Sequence, residues 1–99
     1  MTRPTVYRRT VTVTLDQGLH LGPCSEIAKR ARDFDGDVHI VREGRSVDAK
    51  TMLDLMTLEA EHGTSLVLEA TGDGAAAFVS ELVRLFESNF QPEDSTDRA

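Results

Sequence analysis

Residues 10–34, TVTVTLDQGLHLGPCSEIAKRARDF, carry two hydrophobic periods in succession, and the change from one to the other decides the fold. Val11, Val13 and Leu15 alternate with Thr10, Thr12 and Thr14, the period of two that gives a strand one buried face and one wet face. Asp16, Gln17 and Gly18 break that run. Further on, Cys24, Ile27, Ala28, Ala31 and Phe34 recur at helical spacing with Glu26, Lys29, Arg30 and Asp33 opposite, which predicts an amphipathic helix packed through one stripe. The helix should start near Pro23, because a proline in a first turn gives up an N–H that has no partner there.

Outward from this stretch, Gly36 ends the helix. Val38, Ile40 and Arg42 then alternate with His39 and Val41 before Glu43 and Gly44 turn the chain into Arg45–Asp48, a hairpin of two short strands. Thr51, followed three residues later by Asp54 and then by Leu55, Met56 and Leu58, has the form of a helix N-cap with an acidic first turn. That short helix should run to about Glu61, stopped by Gly63. Leu66, Leu68 and Ala70 alternate with Val67 and Glu69 as a fourth strand. Beyond Gly72–Gly74, the stripe Val79, Leu82, Val83 and Phe86 predicts a last helix ending near Asn89.

The order βαββαβα predicts an α+β fold, with three helices covering one face of a mostly antiparallel four-stranded sheet and the other face in water. Residues 1–90 read as a single domain. Residues 91–99, made of Pro, Ser, Thr and charge, read as a frayed acidic tail with little to bury.

Composition narrows the function. The 99 residues are 39% hydrophobic, enough for a core, and 11 basic against 17 acidic residues give a net charge of −6, which argues against nucleic acid as a partner. One cysteine excludes an intrachain disulfide and a paired-cysteine zinc site, and fits a reducing cytoplasm. No apolar run approaches the roughly 18 residues that span a bilayer, and residues 1–9 have no apolar stretch of signal-peptide length, so neither membrane insertion nor export is expected. The three histidines share no metal-ligand spacing, so no metal or other cofactor is expected. With no glycine-rich nucleotide loop, any phosphate should come from a protein donor.

His20 stands between the first strand and the first helix. A helix N-terminus presents unpaired N–H groups that favour an anion over a second positive charge. An imidazole there suits a neutral nucleophile, and a phosphoryl group placed on it would meet N–H donors around Gly22, Pro23 and Cys24; the plainer alternative is a polar loop residue. Cys24, four residues on, forms a conceivable Cys/His pair. It is also in phase with Ile27, Ala28 and Ala31, which makes it a small core residue. Thr51 is either a cap alone or a hydroxyl that takes a phosphate, with Asp54 close by to repel one. Met52, Leu53, Leu55, Met56 and Leu58 exceed what one side of a short helix buries, so some should be exposed and available to partners. His39 should face the open side of the sheet, and His62 should sit at a helix C-terminus.

Gly18, Leu19 and His20 with Pro23, together with the second run Gly44–Thr51 followed by Leu55 and Met56, resemble the active-site and regulatory segments of the HPr family, the histidine phosphocarriers of the phosphoenolpyruvate-dependent sugar phosphotransferase system. The resemblance extends over about Thr10 to Phe86. It implies an open-faced sandwich and a phosphoryl group accepted on Nδ1 of His20 from phosphorylated enzyme I and passed to an enzyme IIA-type protein. It further implies a docking surface of Leu21, Met52, Leu53 and Met56 beside His20, and a site at Thr51 for a dedicated HPr kinase/phosphorylase. The chain departs from the family pattern at Gly22, where an arginine is usual. Losing a guanidinium that bonds phosphate oxygens should cost on the order of a few kcal/mol in the transition state. Either another residue supplies the charge, backbone N–H groups suffice, or transfer is slow. The rival to a carrier is a regulatory protein-binding module with weak or lost transfer, switched at Thr51. A second rival is a Cys24-dependent redox or hydrolytic activity.

Overall fold

The computed structural model describes residues 5–91, which form β1 (Tyr7–Thr12), α1 (Leu21–Asp33), β2 (Asp37–Arg42), β3 (Arg45–Asp48), α2 (Met52–Met56), β4 (Ser65–Thr71) and α3 (Ala75–Glu87). The tail expected over 91–99 lies, apart from Gln91, outside the described residues. All sheet pairs are antiparallel in the order β1-β4-β2-β3, as the alternating strands imply. Register is set by burial. Val11 lies opposite Leu66, Leu68 opposite Ile40, and Ile40 opposite Val47, so one face collects the apolar side chains, and a one-residue slip would turn them to water.

Against that face α1 contributes Cys24, Ile27, Ala28 and Ala31, and α3 contributes Phe78, Val79, Leu82, Val83, Leu85 and Phe86. The opposite face carries the cross-strand row Arg8, Glu69, His39 and Asp48. Arg8 is ion-paired to Glu69 at 2.7 Å, an exposed contact of modest worth.

Three boundaries differ from the expected ones. Strand β1 starts at Tyr7 and stops at Thr12, because backbone pairing to β4 extends through Arg8 and Arg9, which an apolar alternation does not register. Val13 stays fully buried and exchanges backbone bonds with the 63–64 turn. Helix α1 begins at Leu21, which places Pro23 third in the first turn, still among positions that need no N–H partner. Helix α2 ends at Met56 and not near Glu61. Thr57, Leu58 and Glu59 wind on through tighter bonds to the carbonyls of Asp54, Leu55 and Met56, and Glu59 then takes a left-handed φ of 51°. His62 accordingly sits in an exposed turn and not at a helix end.

Candidate functional site

His20 is exposed and occupies the flanking residue of α1, in extended conformation, without a side-chain cap bond. Its carbonyl accepts the N–H of Cys24 at 3.1 Å and its own N–H donates to Gly18 at 2.9 Å. The backbone of the histidine is therefore held on both sides while its ring stays free. The approach to it is tight. Gly18 has φ 72°, and a Cβ there would lie 2.6 Å from the Ala60 carbonyl oxygen, so only glycine fits. Leu19 is buried and donates its N–H to the same Ala60 oxygen at 2.8 Å.

Of the segment expected to cradle phosphate, Pro23 has no N–H to give, and the N–H of Cys24 is already used by His20. Among the described residues, the donors left without a backbone partner are the N–H groups of Leu21 and Gly22. A Cβ on Gly22 would fall 3.6 Å from Cε1 and 4.0 Å from Nδ1 of His20, ordinary contact distances. A side chain at this position would lie beside the ring, and Gly22 leaves that space open.

Cys24 is fully buried, its thiol donates to the Leu19 carbonyl at 3.4 Å, and burial pushes it up from 9.0 to about 11. A thiol so desolvated is a poor nucleophile at neutral pH, so of the two readings of Cys24 the structure supports the small core residue and not the Cys/His pair. Thr51 flanks α2 at the cap position but makes no side-chain cap bond. The turn before it is closed by Asp48, whose carboxylate accepts the N–H of Lys50 at 2.9 Å.

The four candidate docking residues separate. Leu21, Leu53 and Met56 are 55%, 70% and 38% exposed, whereas Met52 is half-buried against the core. Helices α1 and α2 pack together. The turn after α2 meets the His20 loop through Ala60 and Leu19. At its other end, Lys50 donates to the Phe34 carbonyl and receives Arg32 on its own carbonyl. Met56 thus stands toward the His20 end of α1, and Thr51 toward its C-terminal end. His39 lies in the cross-strand row on the open face of the sheet, and His62 in the exposed turn before β4. Among the described residues no group of three or more His, Cys, Asp or Glu side chains is arranged to hold a metal ion, and no helix is long and apolar enough to cross a membrane.

The family described as "PTS HPr component phosphorylation site" matches residues 7–88. The chain belongs to the HPr family. That family is the phosphocarrier component of the phosphotransferase system, and the sandwich seen here is its fold. The phosphocarrier protein HPr of Vibrio cholerae serotype O1 is 34% identical over 82 residues, covering 83% of this chain and 96% of its own. That of Borreliella burgdorferi is 37% identical over 83 residues, covering 84% and 96%. The crystal structure of HPr-C-His from Thermoanaerobacter tengcongensis superposes with a TM-score of 0.81 at 27% identity, over 85% of this chain and 94% of that one. Sequence reasoning missed two features of this HPr site: the Leu19–Ala60 bond, and the arginines of the β2–β3 hairpin that reach the turn after α2. The only signal for either was the glycine at 18 and two arginines flanking a turn, both of which also suit an ordinary loop.

Proposed function

We propose that His20 accepts a phosphoryl group on Nδ1 from phosphorylated enzyme I and passes it to an enzyme IIA-type protein in the cytoplasm. The observation that carries this reading is an exposed imidazole at the start of α1 next to two N–H groups, those of Leu21 and Gly22, that lack backbone partners among the described residues. In the forward step the ring nitrogen attacks phosphorus as the bond between phosphorus and the donor protein breaks. Charge gathers on the three phosphoryl oxygens, and fixed N–H dipoles stabilise it without reorganising. In the second step the same bond breaks toward the acceptor, so His20 ends unchanged. Leu21, Leu53 and Met56 supply an apolar surface for the two partners in turn, and methionine's flexible thioether suits a surface that serves more than one.

Gly22 favours a second reading, a docking and regulatory module with weak or lost transfer, in which the hydroxyl of Thr51, exposed and making no cap bond to α2, is the modified group. One experiment separates the two. Intact mass is measured after incubation with phosphoenolpyruvate and enzyme I, with His20→Ala alongside. A single acid-labile phosphoryl group, absent in the variant, is the expected result. No gain, with the same enzyme I active on another HPr, would overturn the carrier reading in favour of the module.

A further inference from the structure

Helix α2 has five residues and buries only Leu55, far below the length at which a helix persists by itself. What ends it and holds it comes from the β2–β3 hairpin. Arg45 donates from Nη1 to the Thr57 carbonyl at 2.6 Å, and Arg42 donates from Nη1 to the Leu58 carbonyl at 2.8 Å. A longer contact from the same Arg42 nitrogen reaches the Glu59 carbonyl at 3.4 Å. The two arginines are direct cross-strand partners, an arrangement of like charges that is unfavourable unless both meet acceptors, and the free carbonyls after α2 are those acceptors.

Arg42 is the more committed of the two. Its side chain is half-buried, and its Nε is buried without a hydrogen-bond partner among the described residues, so the guanidinium is set into the fold and aimed at the turn. That turn has an unfavourable geometry to maintain, because Glu59 holds a left-handed φ of 51° without being glycine. The next residue is Ala60. Its carbonyl takes the N–H of Leu19 and stands so close to Gly18 that a Cβ would not fit. A displacement of residues 58–60 therefore cannot be absorbed in slack and passes to Gly18 and Leu19, the residues that set the backbone of His20.

We propose that Arg42 is a positioning residue for His20, acting through the Leu58–Ala60 turn and the Ala60–Leu19 hydrogen bond, with Arg45 as its lesser companion. Its importance rests on the reading of His20 as phosphoryl acceptor, whereas the mechanical link does not. The link is tested on the unphosphorylated full chain by amide hydrogen exchange, using Arg42→Ala, Arg42→Lys and Arg45→Ala. In Arg42→Ala the Leu19 N–H should exchange about tenfold faster than in the parent, the order expected for one lost hydrogen bond to a charged donor. The α3 amides of Leu82 and Val83 should keep their rates. Arg42→Lys, which can restore one bond, should recover part of the protection, and Arg45→Ala should produce a smaller change at Leu19. In phosphoryl transfer from enzyme I, Arg42→Ala should lower kcat more than it raises KM. An unchanged Leu19 rate, or faster exchange at Leu19 matched by equal changes throughout α3, would overturn the proposal. Loss of protection at Leu19 in a chain that never takes up phosphate would leave the link standing and overturn the carrier reading alone.

Discussion

Helices α2 and α3 cover the same sheet, yet α3 buries seven of its thirteen residues while α2 buries one of its five. The first is held by its own stripe, since Phe78, Val79, Leu82, Val83 and Phe86 meet the strands wherever a helix of that sequence is laid on them. The second is held from outside by Lys50, Arg42 and Arg45, whose side chains supply hydrogen bonds around its two ends. The difference separates stability from availability. Sinking Leu53 and Met56 into the core would make α2 self-supporting and remove the apolar surface on offer to partners. Hydrogen bonds from other elements let a short helix stay in place while two of its large apolar side chains remain in water.

The sharpest way to break this comparison is truncation in α3. Leu82→Ala, at a fully buried position, should lose about 2–5 kcal/mol of unfolding free energy in denaturant titrations. A loss under about 1 kcal/mol would mean that the α3 stripe is not what holds the sheet covered. A pH series sharpens the contrast within the His20 corner, where an exposed ring sits one helical turn from a buried thiol. Because burial raises the Cys24 thiol from 9.0 to about 11, the unfolded chain gives up its proton at lower pH than the folded one. The stability this contributes is fully present below pH 9.0 and is lost as pH rises through about 11. Cys24→Ala should flatten that part of the stability curve, and an unchanged slope would place the thiol in contact with water. The smallest effect is expected at Leu53. Leu53→Ala should change stability by no more than about 0.5 kcal/mol while raising KM for transfer from enzyme I. A stability cost equal to that of Leu82→Ala would make α2 a core helix and end the comparison.

Much of the molecule was legible because its signals are local. Two-residue alternation marked the strands from Val38 to Arg42 and from Leu66 to Ala70, and the 3.6-residue stripe marked α1 and α3. The same reasoning put Cys24 inside and His20 at a helix start. It failed at α2, where the apolar residues up to Leu58 suggested a longer helix. It also failed to separate Met52, which packs inward, from Leu53, which does not. In so short an element the facing direction depends on where other elements hold it.

The sequence by itself determined the element order, the covered face of the sheet and the place of His20, because each follows from the spacing of residues within one or two turns of one another. Only the tertiary structure decided where α2 stops, which apolar side chains stay exposed, and what fixes the backbone before His20. Those outcomes rest on the Arg42–Leu58, Arg45–Thr57 and Leu19–Ala60 bonds. Their partners lie twelve to forty-one residues apart in the chain, beyond the reach of any periodicity.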